Sequence, residues 1–172
     1  TEGGGISTLH PDAPREAEKS VGRPLEGTAV EIVDQEDNVL PTGDVGRVRY
    51  SGPCVADNFF NDPEASVESF KDGWFYPGDL GRFDQAGYLY LVGRSKDVII
   101  RGGVNIYPAE IEQVLLSHEH VREAAVVAWP SKSKGEEVAA FVVVESAVAE
   151  EGLKAHCAET LARYKVPREI FF

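Results

Sequence analysis

Residues 93–112 read GRSKDVIIRGGVNIYPAEIE. The apolar run Val98-Ile99-Ile100 sits between charged residues, and Gly102-Gly103 separates VIIR from VNIY. Two short β-type runs flanking a glycine pair predict a hairpin. Pro108 then opens PAEIEQVLLSH, which carries Ile111, Val114 and Leu115 on one helical face, a helix of about three turns. Downstream, AAVVAW (124–129) and EVAAFVVVE (137–145) read as strands separated by the loop PSKSKG. AEEGLKAHCAETLARY (149–164) places Leu153, Cys157, Leu161 and Tyr164 at helical spacing, and KVPREIFF begins a further extended segment. The order β-β-α-β-β-α predicts an α+β domain over 94–172, a small sheet flanked by helices.

Upstream the pattern differs. Residues 1–27 are rich in glycine, proline and charge without a period and read as loop. TAVEIVD (28–34) puts Val30 and Ile32 on one face. GRVRYSG (46–52) alternates strictly, with Val48 and Tyr50 opposite Arg47 and Arg49. Asp62-Pro63 has the form of an N-cap followed by proline at the first helical position, opening the short helix PEASVESF. DQAG (84–87) is a tight turn joining LGRF to GYLYLVG. Residues 1–93 are therefore expected to form a small β-rich, open barrel-like subdomain.

Composition narrows the function classes. The formal net charge is -12, with 7 Lys+Arg against 17 Asp+Glu in residues 1–93 and 10 against 12 in residues 94–172. Nucleic-acid binders carry basic patches, so no nucleic-acid partner is expected. The charge shift near Gly93-Arg94 marks a domain boundary. No run approaches the roughly 18 apolar residues of a membrane span, and TEGGGISTLHPDAPRE shows no signal-peptide pattern. Cys54 and Cys157 are far apart and outside any CxxC pair, as expected of two partly buried thiols in a reducing cytoplasm. The 172 residues contain no methionine, and the chain reads as a piece of a longer protein.

Single motifs leave alternatives open. His118 and His120 flank Glu119 near a helix end, where a solvated terminus is favoured over a shared metal. Gly3-Gly4-Gly5 lacks the context of a phosphate loop and reads as a flexible loop. In GWFYPGDLGRF (73–83), Asp79 is either a turn former or a carboxylate presented to the vicinal hydroxyls of a ribose. Arg94 offers a planar fork for phosphate or carboxylate, or forms a surface ion pair. Lys96-Asp97 is a hinge or a solvated turn.

Taken in order, these segments resemble the carboxy-terminal part of the adenylate-forming enzymes, the superfamily of acyl-CoA synthetases, peptide-synthetase adenylation domains and luciferase. The opening TE is similar to the end of YGxTE. VGRPLEGTAVEIVD resembles GxPxxGxxxxIxD, and GDVGRVRYSGPCVADNFFNDPEAS resembles GExGEIxxxGPxxxxGYxxxPEAT. GWFYPGDLGRFDQAGYLYLVGRSKDVIIRGGVNIYPAEIEQVL resembles GWxxTGDxGxxDxxGYxxxxGRxKDxIxxxGxNIxPxEIExxL, and LARYKVPREI resembles LxxYKxPxxI. KDVIIRGGVNIYPAEIE is nearer to fatty-acyl, malonyl and aryl-CoA ligases than to peptide synthetases.

The resemblance implies an acid–thiol ligase. Such an enzyme joins a carboxylic acid to AMP from Mg-ATP, then passes the acyl group to coenzyme A, with a domain swing between the two steps. It implies that Thr1 contacts the AMP phosphate and Glu2 helps hold Mg²⁺, a cation that takes oxygen ligands. Asp79 would bind the ribose hydroxyls and Arg94 would sit beside the nucleotide. Lys96 would be the hinge, and Gly102 and Gly103 would line the channel for the pantetheine arm of coenzyme A, where a missing Cβ permits close approach. Residues 1–93 would be the β-rich end of the large domain and 94–172 the small mobile domain.

Pro77 stands where the family has threonine, and Asn58-Phe59 where it has Gly-Tyr. The family's large domain with its phosphate loop and acyl pocket, its adenine-stacking aromatic and its catalytic lysine segment have no counterpart in these residues, so the 172 residues alone are expected to be inactive. Alternatives are an adenylation domain that loads a carrier-protein thiol and a non-catalytic binding module of the same fold.

Overall fold

The computed structural model describes residues 4–172. It has two compact units, one running to Ser95 and the other spanning Lys96–Phe172.

In the first unit, β1 (Ser7–Thr8) pairs antiparallel with β2 (Arg23–Pro24), so the segment expected to be loop contains a small ladder. β3 (Ala29–Val33) and β4 (Gly46–Ser51) follow, then α1 (Pro63–Ser69), β5 (Phe70–Lys71), β6 (Trp74–Phe75), β7 (Asp79–Phe83) and β8 (Leu89–Arg94). The last-named strands form one six-stranded sheet in the order β5-β6-β4-β7-β8, with β3 on β4. The sheet stays open. The alternation in β4 holds: Val48 and Tyr50 are buried beside Ile32, Phe75 and Leu89. On its other face Arg49 pairs with Glu31 at 2.6 Å and lies 4.5 Å from the centre of the Trp74 ring. Val33 is fully buried as well, so β3 is covered on both faces. Asp62 caps α1, its Oδ1 accepting from Ala65 N at 3.0 Å.

The β5–β6 hairpin was not anticipated. Its two-residue turn, Asp72-Gly73, has φ of 53° and 79°, the left-handed pair that an Asp-Gly turn adopts.

The second unit is built from β9 (Ile99–Arg101), β10 (Val104–Ile106), α2 (Pro108–Leu116), β11 (Val121–Ser131), β12 (Gly135–Val144), α3 (Glu150–Thr160) and β13 (Glu169–Phe171). The strand order is β10-β9-β12-β11, with β13 parallel on β12. Ile99, Ile106, Ile111, Leu115, Leu153 and Cys157 are fully buried in one cluster with Val126, Val138, Ala140 and Val142, so both helices cover the same face of the sheet. Burial of each such aliphatic side chain is worth about 1.5–3 kcal/mol, and this cluster holds the β9–β10 hairpin in place.

α3 stops at Thr160, short of the expected Tyr164. Leu161 turns extended to reach the core, and Lys165 Nζ bonds both Glu110 carboxylate oxygens, at 2.7 and 2.6 Å, so tertiary contacts override the helical spacing. The thiols also divide: Cys54 is exposed, whereas Cys157 is buried and pushed up to about 11 by desolvation. No helix among the described residues is long and apolar enough to cross a membrane.

Candidate functional site

The β7–β8 hairpin builds the site. Asp84 Oδ1 accepts from the N–H groups of Ala86 and Tyr88, both at 2.9 Å, which tightens the DQAG turn. Beyond that turn the ladder runs to Gly81↔Leu91, and a register shift between Leu80 and Gly81 then brings Asp79 opposite Arg94. There Arg94 Nη1 lies 3.2 Å from Asp79 Oδ1, the carboxylate side chain 26% exposed and the guanidinium side chain 50%. Of the two sequence alternatives for Arg94, a surface ion pair or an anion fork, the structure shows the ion pair, with Asp79 as its partner.

The pair sits at the edge of a cleft of about 600 Å³ whose apolar wall includes Val48, Tyr50, Phe75 and Leu89. An apolar wall with a few convergent polar groups at the rim is the usual form of a small-molecule site. Tyr76 lines it too. Its hydroxyl donates to Asp37 Oδ1 at 3.0 Å and accepts from Arg49 Nη1 at 3.1 Å, so the ring is tied to the opposite side of the sheet.

Gly78 connects Pro77 to Asp79 with φ +82°, a conformation that L side chains rarely adopt. A Cβ there would lie 3.3 Å from Arg94 Nη2. Its carbonyl accepts from Ser95 N at 2.8 Å and from Ser95 Oγ at 3.1 Å. Pro77 contributes no N–H and fixes its own φ, stiffening the approach to Asp79. Ser95 was not singled out in the sequence. The signal available was its place after Arg94 in GRSKD, which the hairpin register sets opposite Gly78.

Lys96 is exposed in a one-turn 3₁₀ segment, Ser95–Asp97, and is the first residue of the second unit. Gly102 and Gly103 are the two-residue turn of the β9–β10 hairpin, with φ of 59° and 83°. Nothing lies within 4 Å of a Cβ built on either, and Gly102 N donates to Lys134 O at 3.0 Å. The structure thus brings Asp79 and Arg94 together in one unit and places Gly102 and Gly103 in the other. Thr1 and Glu2 lie outside the described residues, so the proposed phosphate and Mg²⁺ contacts have no geometry here. Among the described residues no group of three or more His, Cys, Asp or Glu could hold a metal ion.

Comparison with known proteins accounts for this arrangement. The family model described as AMP-binding enzyme matches residues 1–60, and that described as AMP-binding enzyme C-terminal domain matches residues 110–172. The 2-succinylbenzoate–CoA ligase of Bacillus licheniformis is 42% identical over 167 residues, covering 97% of this chain and 35% of the relative. The o-succinylbenzoate CoA synthetase of Bacillus subtilis has been solved with its acyl-adenylate intermediate; it superimposes with a TM-score of 0.92 at 40% identity, over 96% of this chain and 34% of that one. The amide bond synthetase McbA from Marinactinospora thermotolerans superimposes with a TM-score of 0.86 at 39% identity, over 92% of this chain and 33% of its own. The chain spans about a third of the length of the curated relatives it matches. Two AMP-binding enzyme models, one at each end of the chain, together with relatives aligned over nearly every residue, lead to one conclusion: the chain belongs to the AMP-binding, adenylate-forming enzymes.

Proposed function

We propose that the protein containing this chain is an acid–thiol ligase. A carboxylate oxygen of the acid attacks the α-phosphorus of ATP, forming the acyl-adenylate and releasing pyrophosphate. The thiolate of coenzyme A then attacks the acyl carbon and AMP leaves. The observation that carries the reading is the Asp79–Arg94 pair at the rim of the apolar cleft. An ionised carboxylate accepts hydrogen bonds from both hydroxyls of a ribose, and a guanidinium beside it supplies a fork for the phosphate.

The other roles follow the family. Lys96 is the pivot, because the φ/ψ changes of a domain motion concentrate in a short connector. The Gly102-Gly103 turn has open space where a Cβ would stand on either residue and so suits a wall against which a pantetheine arm can slide. Thr1 and Glu2 would serve phosphate and Mg²⁺; bound Mg²⁺ would neutralise charge on the phosphates. The cytoplasm is the compartment in which this chemistry and two unpaired thiols fit.

The acid is chosen by parts of the protein beyond these residues. 2-Succinylbenzoate is the first to test, since several bacterial relatives are named for it. The similarity to an amide bond synthetase makes an amine a second acceptor to try beside coenzyme A and a carrier-protein thiol.

The test is ATP–pyrophosphate exchange by the full-length protein with a panel of carboxylic acids, followed by AMP release with each acceptor. Acid-dependent exchange and thiol-dependent AMP release are expected. Asp79→Ala should raise the KM for ATP at least about tenfold, the worth of a hydrogen bond to a charged group. Exchange that ignores every acid, or an unchanged KM in Asp79→Ala, would overturn the reading.

A further inference from the structure

We infer that Ser95 is a positioning residue for the nucleotide: its hydroxyl clamps the Gly78 carbonyl, and so aims the Asp79 carboxylate independently of the torsion at Lys96. This rests on the proposed nucleotide site at Asp79.

Gly78 is the weak point of that site. It precedes the functional carboxylate, has no Cβ and sits at φ +82°, so its own stereochemistry does little to fix the peptide that leads into Asp79. The carbonyl of that peptide is held from outside by two donors of one residue, Ser95 N at 2.8 Å and Ser95 Oγ at 3.1 Å. A carbonyl oxygen has two lone pairs, and filling both restrains rotation of the peptide plane where one bond would leave it a swivel. The backbone bond merely continues the β7–β8 ladder and any residue could make it. The hydroxyl bond is specific to serine or threonine.

The guanidinium of Arg94 also lies against Gly78: the site of a Cβ there is 3.3 Å from Arg94 Nη2 and 3.9 Å from Ser95 Oγ. Gly78 thus touches two consecutive residues, and Asp79 is held by Arg94 as well. Ser95 is also the last residue of the first unit, directly before Lys96. A rotation beginning at Lys96 meets the clamp before it reaches the Asp79 peptide. The site and the connector share a residue, and its side chain isolates one from the other.

The experiment is calorimetric titration of the full-length protein with AMP, which requires no knowledge of the acid. Ser95→Ala should bind AMP about 2- to 10-fold more weakly, as expected for loss of one neutral hydrogen bond. Ser95→Thr, which restores the hydroxyl, should stay within about twofold of the parent. The thermal midpoint of Ser95→Ala should move little, because the serine is exposed. Asp79→Ala is measured beside them. If it weakens AMP while Ser95→Ala does not, or if Ser95→Thr loses as much as Ser95→Ala, the clamp is wrong and the nucleotide site stands. If Asp79→Ala leaves AMP binding intact, the nucleotide site falls and the clamp with it.

Discussion

Arg101 stands at the end of β9, seven residues after Arg94, and its contacts make a stability prediction that can be worked through. Its Nε donates to Glu137 Oε2 and its Nη1 donates to Tyr164 O at 3.1 Å. Glu137 lies on β12 with its side chain only 6% exposed, and the next nearest cation, Arg168 Nη1, is 3.8 Å from Oε1 on a side chain that is 62% exposed. Removing one partner of a buried pair strands the other and costs roughly 3–5 kcal/mol. Arg168 remains as a poorer partner, so Arg101→Met should cost about 3 kcal/mol, at the lower end of that range. With a urea dependence of about 1–2 kcal/mol per molar, the midpoint should fall by roughly 1.5–3 M.

The chain has two tryptophans, Trp74 in the first unit and Trp129 in the second, so Trp129 fluorescence in a Trp74→Phe background reports the relevant unit. Arg101→Met/Glu137→Leu should recover to within about 1 kcal/mol of the parent, because a pair replaced by apolar groups leaves no stranded charge.

A pH arm sharpens the test. The Arg101 hydrogen bond holds the Glu137 carboxyl below the usual carboxylate range. Its stabilisation is therefore complete above the unfolded value of about 4.3 and is lost as pH falls through the lower folded value. In Arg101→Met the chief cause of that lowering is gone, while desolvation still raises Glu137 and only Lys134 and Arg168 still lower it, so acidification should cost the variant less stability than it costs the parent. A single-variant loss below about 1 kcal/mol, or a double variant no better than the single, would refute the reasoning.

Two further outcomes are expected. Lys96→Pro in the full-length enzyme should slow thioester formation far more than adenylation, because proline locks φ at the pivot; stopped-flow measurement showing equal loss in both half-reactions would instead mark Lys96 as a nucleotide contact. Asp37 is lowered to about 2, chiefly by the Lys71 ammonium at 2.5 Å and by the Tyr76 hydroxyl. Its contribution is present above the ordinary value of 3.8 and disappears as pH falls towards 2, so Asp37→Asn should lower the thermal midpoint at pH 7 and flatten the acid limb; an unchanged limb from pH 4 to 2 would rule out the Asp37 network as its source.

Much of the second unit was legible because local signals agreed. Gly102-Gly103 specified a hairpin turn, Pro108 began a helix, and the apolar run 138–144 marked a strand. The Asp72-Gly73 turn carried an equally clear signal but sat between strands of two residues each, too short to show a period. The end of α3 had no local mark at all; the pull of Glu110 on Lys165 and of the core on Leu161 ends it.

The function class followed from chain order, since five spaced motifs in sequence identify a family that none identifies alone. Local stereochemistry is written in neighbouring residues, so turns, caps and strand faces could be read without the fold. The division of labour between the two arginines could not. Both flank the same short connector and hairpin and have the same side chain. Only the packing of β8 against β7 gives Arg94 to Asp79 at the cleft, and only the crossing of β9 onto β12 gives Arg101 to buried Glu137. An ion pair is decided by which partner lies within a few ångströms and how much water is excluded, and both are properties of residues far apart in the chain.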